Sequence, residues 1–141
     1  MKRIFIAGAA LLALASTAMA QEKATLRLNW LVYGFHTPFF LGVERGFYKA
    51  EGIELEIGEG KGSASAVQVI GAKGDTFGLA DGASIINGVT KGAPVKAVMG
   101  IMNTTPFAVI MREDANVKSI KDLEGKTIAA TAGEAGLTIM P

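Results

Sequence analysis

Strand-like and helix-like segments alternate along this chain, and that order restricts the fold more than any other feature of the sequence. Residues 26–30 alternate apolar and polar side chains, as a half-buried strand does. Pro38 then suits the first turn of a helix, where its missing N–H costs nothing. The apolar side chains at helical spacing, which we expect to be buried against the sheet, are Phe39, Phe40, Val43 and Phe47.

The same order repeats further along the chain. Strict alternation over residues 53–57 predicts a second strand, and Ser63 is placed to cap the helix that follows. Asp81 and Gly82 turn into another helix, and Ser119 begins a single helical turn with a capping-box-like pattern. The further predicted strands are residues 76–80, 95–102, 107–111 and 126–130. Strand and helix repeated at this spacing predict an α/β fold with a parallel sheet.

Residues 1–20 have the three parts of a secretory signal peptide. Lys2 and Arg3 precede an apolar run over residues 4–15, and residues 18–20 form an A-x-A cleavage site. An apolar run of 12 residues is too short for a stable membrane span. The mature chain is therefore predicted to begin at about Gln21 and to be a soluble protein of the periplasm.

The composition excludes several classes of protein. Cleavage removes two of the 14 basic residues and none of the 13 acidic ones, so the mature chain has no electrostatic footprint for nucleic acid or anionic membrane. The absence of cysteine excludes disulfides and a lipid-modified N-terminal cysteine. Half of the residues are apolar, which excludes a disordered chain. We expect a monomer.

The chain divides into three predicted parts. Residues 1–20 are the signal peptide, residues 24–105 form a first α/β lobe, and residues 106–141 form a crossover and the truncated start of a second lobe. The last residues resemble the beginning of a helix, so we interpret the chain as a fragment of a longer protein whose domain continues past residue 141.

An aromatic-rich loop follows the first predicted strand, where ligands bind in open α/β sheets. Its rings form half of a pocket or, alternatively, seal the top of the core. Turns from strand into helix at residues 62–63, 81–82 and 131–136 offer N–H groups to an anion or an acceptor. For Ser63 and Asp81, plain helix capping is an equal alternative. The candidate ligand-binding residues are Trp30, Tyr33, His36, Gly62, Ser63, Asp81, Asn103, Thr131, Gly133 and Glu134.

No catalytic constellation is visible in the sequence. With one histidine and no cysteine, the chain has no Cys/His nucleophilic pair and no clustered ligand set for zinc. Glu54 and Glu56 alternate outward from an apolar strand, which is typical of a solvated face. His36 has no neighbour in sequence to orient it as a general base, so a hydrogen bond to ligand or loop backbone is favoured. The sequence therefore predicts no metal, no cofactor and no enzymatic activity.

Several short motifs, in a fixed order, resemble the SsuA/THI5-like (NMT1-type) family of solute-binding proteins. The matching segments are residues 28–30 with His36 and Pro38, 44–48, 51–53, 62–63, 74–78, 91–95 and 119–126. The resemblance covers essentially everything after residue 20. It implies a type II periplasmic-binding fold, in which two α/β lobes close on a ligand, with the first lobe complete or nearly so in this chain.

The resemblance implies a function in ABC import. Members of the family capture sulfonates, taurine, nitrate or pyrimidine precursors of thiamine and deliver them to a permease in the inner membrane. Asn29 and Trp30 with His36, and the Gly-Glu turn at residues 133–134, are similar to the pyrimidine-associated branch, from which Ala135 departs. The expected function is therefore a periplasmic binding protein for a small polar solute.

The alternative is a THI5-like pyrimidine synthase. The resemblance implies that such enzymes use pyridoxal phosphate and a histidine of their own chain, and that they carry a lysine and a histidine in the turn after the third strand. In this sequence that turn, residues 80–84, has neither. The signal peptide also disfavours an enzyme that depends on a cytosolic cofactor.

Overall fold

The chain folds into an α/β unit built on a small parallel sheet. The computed structural model describes residues 21–102, 104 and 108–130. Strand β1 is Glu22–Arg27, β2 is Ile53–Gly58 and β3 is Phe77–Gly78, and the sheet has the order β2-β1-β3. The predicted α/β class with a parallel sheet is confirmed.

The register brings the carboxyl ends of the three strands side by side. Glu22 is opposite Ile53 and Arg27 is opposite Gly58, while Arg27 also lies opposite Gly78 of β3. The pairing continues past β1, where the Leu28 N–H donates to the Gly58 carbonyl at 2.8 Å. Ligands of open α/β sheets bind beyond this edge, so its loops are where a site is expected.

The described residues contain four α-helices. Their bounds are α1 Thr37–Glu44, α2 Phe47–Ala50, α3 Ser63–Gly71 and α4 Gly82–Thr90. Short 3-10 helices occur at Gly34–His36, Glu113–Ala115 and Ile120–Leu123. Pro38 lies in the first turn of α1, as predicted. Among the residues described, no helix combines the length and the apolar character that a membrane span requires.

The buried face predicted for the first helix is wrong. Phe40, Val43 and Phe47 are 37%, 44% and 59% exposed. Gly46, with φ of 71°, separates α1 from α2, so the side chains do not form one continuous stripe. The residue of α1 that is buried is Gly42, which packs so closely on Tyr48 that an added Cβ would lie 2.7 Å from its ring.

The core of the described chain is small. Its buried apolar residues are Ala24 and Leu28 from the β1 segment and Ala66 and Val67 from α3. Helix α4 packs closely on α3, since a Cβ added at Gly88 would lie 2.5 Å from the Val67 side chain. The two largest side chains that are completely buried are Leu28 and His36, and both belong to the segment that leaves β1.

Three predicted strands are not formed in the described residues. Residues 95–102, 108–111 and 126–130 have no regular secondary structure. Val98, Met99 and Ile110 are 70%, 72% and 93% exposed, so the apolar pattern that suggested buried strands has no partner here. A strand requires the N–H and C=O groups of a neighbour, which hydrophobicity alone does not supply. The capping box of Ser119 and Asp122 is confirmed.

Candidate functional site

The loops that leave β1 and β2 are joined by hydrogen bonds. The Gly62 N–H donates to the Asn29 carbonyl at 2.7 Å, and the Gly60 N–H donates to the Trp30 carbonyl at 3.1 Å. The Val32 N–H donates to the Glu59 carboxylate at 3.0 Å. These bonds connect residues 29–32 to the loop after β2, and β1 ends at Arg27 instead of the predicted residue 30. It also begins earlier than predicted, at Glu22.

Gly60 permits the close approach of the two loops. A Cβ at this position would lie 1.8 Å from the Leu28 carbonyl oxygen and 2.8 Å from the Asn29 carbonyl carbon. Gly62 has φ of 114°, a conformation that side chains rarely adopt. The glycine-rich segment therefore shapes the edge of the sheet, and ligand contact by Gly62 stays a prediction.

Two aromatic rings lie exposed on the first of these loops. Trp30 is 39% exposed and Tyr33 is 50% exposed, directly after the carboxyl end of β1. The Tyr33 ring also lies against the His36 ring, with centroids 4.5 Å apart. The loop thus presents flat apolar surface at the edge where a ligand is expected. Trp30 and Tyr33 lie outside the buried core, whereas His36 of the same loop is part of it, so the pocket stays a prediction.

His36 lies beneath this loop and not on its surface. The residue is 0% exposed, and its Nε2 lies 2.9 Å from Asn29 Oδ1. Its Nδ1 accepts from the Tyr33 N–H at 3.4 Å. Both ring nitrogens therefore have partners in the chain. Ligand contact by His36 stays a prediction, and it would require the ring to leave this position.

Acid is expected to destabilise the fold through His36. Burial lowers the pKa of His36 from its ordinary value of 6.5. The folded state resists the proton that the unfolded state accepts, so stability is complete above about pH 6.5 and is lost as pH falls towards the folded pKa. Urea unfolding from pH 8 to pH 5 measures this loss.

The matched control for this acid sensitivity is His36→Gln, which does not titrate. Its stability is expected to be flat over the same range. Asp114 and Asp122 do not interfere, because hydrogen bonds lower their pKa values from 3.8 and their effects fall in a more acidic range. Equal pH dependence in the wild type and His36→Gln would contradict the expectation.

Ser63 and Asp81 hydrogen-bond to each other across two helix starts. The Asp81 N–H donates to Ser63 Oγ at 3.1 Å. Asp81 caps α4, since its carboxylate accepts from both the N–H and the hydroxyl of Ser84 at 2.8 Å. The predicted cap by Ser63 is wrong, because Gly62 is the N-cap and Ser63 is the first residue of α3. Ligand contact by Ser63 and Asp81 stays a prediction.

The structure gives contacts to three residues outside the predicted ligand-binding set, namely Arg27, Asn29 and Glu59. Arg27 donates to Asp75 at 2.7 Å and to the Glu59 carbonyl at 2.8 Å, which joins the segments around all three strands. Asn29 and Glu59 hold the aromatic loop. Glu59 had a signal in its position, because it is a polar residue just beyond the predicted strand 53–57, whereas Arg27 and Asn29 lie within the predicted strand 26–30.

The remaining predicted site residues lie outside the described part of the chain. They are Asn103, Thr131, Gly133 and Glu134. Within residues 21–102, 104 and 108–130, no group of histidine and acidic side chains is arranged to hold a metal ion. The part of the candidate site that the structure describes therefore consists of the loops at the carboxyl ends of β1, β2 and β3.

The described residues form an α/β domain with a candidate ligand-binding site at one edge of its sheet. Comparison with known proteins shows the family of the chain. The family model described as NMT1/THI5 like matches residues 34–141. The chain belongs to the NMT1/THI5-like family, which confirms the resemblance. No solved structure gave a significant match.

Three curated relatives carry the name 4-amino-5-hydroxymethyl-2-methylpyrimidine phosphate synthase. The Legionella pneumophila protein is 28% identical over 120 residues, which are 85% of this chain and 38% of the relative. The Schizosaccharomyces pombe protein is 30% identical over 110 residues, 78% of this chain and 32% of the relative. The Uromyces fabae protein is 29% identical over 111 residues, 78% and 33% respectively. The chain thus spans about a third of the length of the curated relatives it matches.

The names of these relatives correct one prediction. The sequence predicted no enzymatic activity, whereas the matched relatives are named as an enzyme. The prediction relied on the missing lysine and histidine at residues 80–84 and on the signal-peptide pattern, yet the chain still matches proteins that are named as an enzyme. Among curated proteins, the comparisons support the alternative, a pyrimidine synthase, better than a transport role.

Proposed function

We propose that the chain contributes a binding site for a thiamine-type pyrimidine at the carboxyl edge of its parallel sheet. The observation that carries the proposal is the exposed pair of rings, Trp30 and Tyr33, on a loop fixed by hydrogen bonds to the next loop. A flat heterocycle stacks favourably on such rings. The named product of the relatives is a pyrimidine phosphate, which supports this class of ligand.

The start of α3 suits the phosphate of such a ligand. Helix α3 begins at Ser63, directly after the loop that is bonded to Asn29 and Trp30. First-turn N–H groups and the helix dipole attract an anion at this end of a helix. Ring and phosphate would therefore be bound by adjacent loops of one sheet edge.

The first candidate activity is pyrimidine phosphate synthesis, which the names of the relatives support. The resemblance implies that such a synthase consumes a histidine of its own chain, and His36 is the histidine that these 141 residues offer to a test. The test is incubation of the full chain with pyridoxal phosphate, followed by mass spectrometry of the small molecules and of the peptide that contains His36. A pyrimidine phosphate product together with a changed mass at His36 supports synthesis.

The second candidate is capture of the pyrimidine by an exported binding protein with two lobes of the type II periplasmic-binding kind. The observation that favours it is the signal-peptide pattern of residues 1–20. A protein of this kind would hand its ligand to an inner-membrane permease. Calorimetric titration with the pyrimidine phosphate and the free pyrimidine, with nitrate and taurine as controls, tests binding. Tighter binding of nitrate or taurine would contradict a pyrimidine site.

Export of the chain can be tested directly. When the gene is expressed in a bacterium with the secretory pathway, the mature protein is expected to begin at Gln21, because the A-x-A pattern ends at Ala20. N-terminal sequencing of the periplasmic fraction measures this, and a variant with Ala18 and Ala20 replaced by Arg is the control that should stay uncleaved. Recovery of the wild type in the cytosol with Met1 retained would contradict export.

A further inference from the structure

We propose that His36 is a positioning residue that holds the Trp30 loop and turns the Asn29 amide NH₂ outward as a hydrogen-bond donor for the ligand. The inference deepens the proposed pyrimidine site and rests on it for the identity of the ligand. It concerns a histidine for which the sequence left open a hydrogen bond to ligand or to loop backbone, and the structure shows the bond to backbone at Tyr33. The geometry assigns it a task beneath the surface.

The direction of each hydrogen bond follows from the partners. The Tyr33 backbone N–H can only donate, so His36 Nδ1 accepts and carries no proton. The proton of the neutral ring is then on Nε2, which donates to Asn29 Oδ1 at 2.9 Å. With its oxygen bound to the buried ring, the Asn29 amide has its NH₂ group directed away from His36. Asn29 is thereby fixed as a donor.

His36 closes the loop at both of its ends. At one end its side chain holds Asn29, whose carbonyl also accepts from the Gly62 N–H at 2.7 Å. At the other end it contacts Tyr33 twice, since its own N–H donates to the Tyr33 carbonyl at 2.9 Å and its Nδ1 accepts from the Tyr33 N–H. Trp30 lies between the two anchors. Its orientation therefore depends on a ring that no ligand touches in this conformation.

This arrangement selects a ligand by its acceptors. A donor-only Asn29 beside an exposed Trp30 favours a flat heterocycle whose ring nitrogen or substituent oxygen accepts a hydrogen bond. A buried polar group without its partner is costly, so loss of the His36 donor would release Asn29 to seek another bond. The loop would then lose both its fixed donor and the fixed position of Trp30.

The experiment uses Trp30 as a reporter, because it is the single tryptophan of the chain. His36→Met and His36→Gln have similar size and flexibility, and glutamine alone can donate to Asn29. With no ligand present, acrylamide quenching of Trp30 fluorescence is expected to rise about twofold in His36→Met as the ring leaves its half-exposed position. His36→Gln is expected to stay close to the wild type.

Circular dichroism checks the fold of each variant, and Asn29→Ala serves as a second variant that breaks the same bond from the other side. Asn29→Ala is expected to raise quenching as His36→Met does, so the test survives if one variant does not fold. Equal quenching in His36→Met and His36→Gln, or unchanged quenching in folded Asn29→Ala, would overturn the proposal. The measurement needs no ligand, so its outcome is separate from whether the site binds a pyrimidine.

Discussion

Replacing Trp30 by Ala is expected to weaken binding of a pyrimidine phosphate by about 1 to 3 kcal/mol, the usual contribution of one aromatic ring stacked on a base. This is roughly a 5- to 150-fold increase in Kd. The physical reason is that Trp30 is 39% exposed beyond the carboxyl end of β1, where a ligand is expected. Calorimetric titration of wild type and variant measures the change.

Two variants serve as controls for Trp30→Ala. Trp30→Phe keeps a flat ring and is expected to lose less affinity than Trp30→Ala. Glu54→Gln lies on the exposed face of β2 and is expected to stay within about 0.5 kcal/mol of the wild type. If folded Trp30→Ala binds the pyrimidine as tightly as the wild type does, the aromatic loop is not the ligand surface.

The largest loss of stability is expected for Gly60→Ala. The added Cβ would lie 1.8 Å from the Leu28 carbonyl oxygen, so the loops after β1 and β2 must separate. Their hydrogen bonds would then break, and we expect the free energy of unfolding to fall by about 3 kcal/mol or more. Urea denaturation followed by circular dichroism measures the change.

Gly82→Ala is the matched control for Gly60→Ala. An added Cβ at Gly82 meets no atom within 4 Å, and this residue begins α4. Its effect is expected to be close to neutral or slightly stabilising, because alanine restricts the unfolded chain. If the two variants unfold at the same urea concentration, the loops do not approach each other as closely as the structure has them.

Much of the fold could be predicted from local patterns. The alternation over residues 53–57 matches β2, Pro38 lies at the start of α1, and Asp81 caps α4. The failures concern features that depend on distant partners. The apolar runs at residues 95–102 and 108–111 have strand composition, yet no neighbouring strand pairs with them in the described structure. An apolar composition indicates that a segment can be buried as a strand. It does not indicate which strand would pair with it.

The sequence predicted where the candidate site lies, but it did not predict which side chains are in contact there. The aromatic loop after the first strand was visible from Trp30 and Tyr33 in the sequence. The pairing of Asn29 with His36 was not visible, because the two side chains meet through the path of the loop. Glu59 was missed for the same reason, since its carboxylate accepts from a backbone N–H 27 residues earlier in the chain. Local sequence gives the residue types, whereas the fold determines which atoms meet.

The hydrogen bonds between the loops after β1 and β2 also restrict where insertions and deletions can be tolerated in this protein. The carbonyls of Asn29 and Trp30 accept from the N–H groups of Gly62 and Gly60, in opposite order along the chain. An insertion in either loop would shift one set of groups past the other, and a compensating insertion in the second loop would not restore the close approach at Gly60. Length variation among relatives should therefore be found elsewhere, and these two loops should be inherited together as one unit of fixed size.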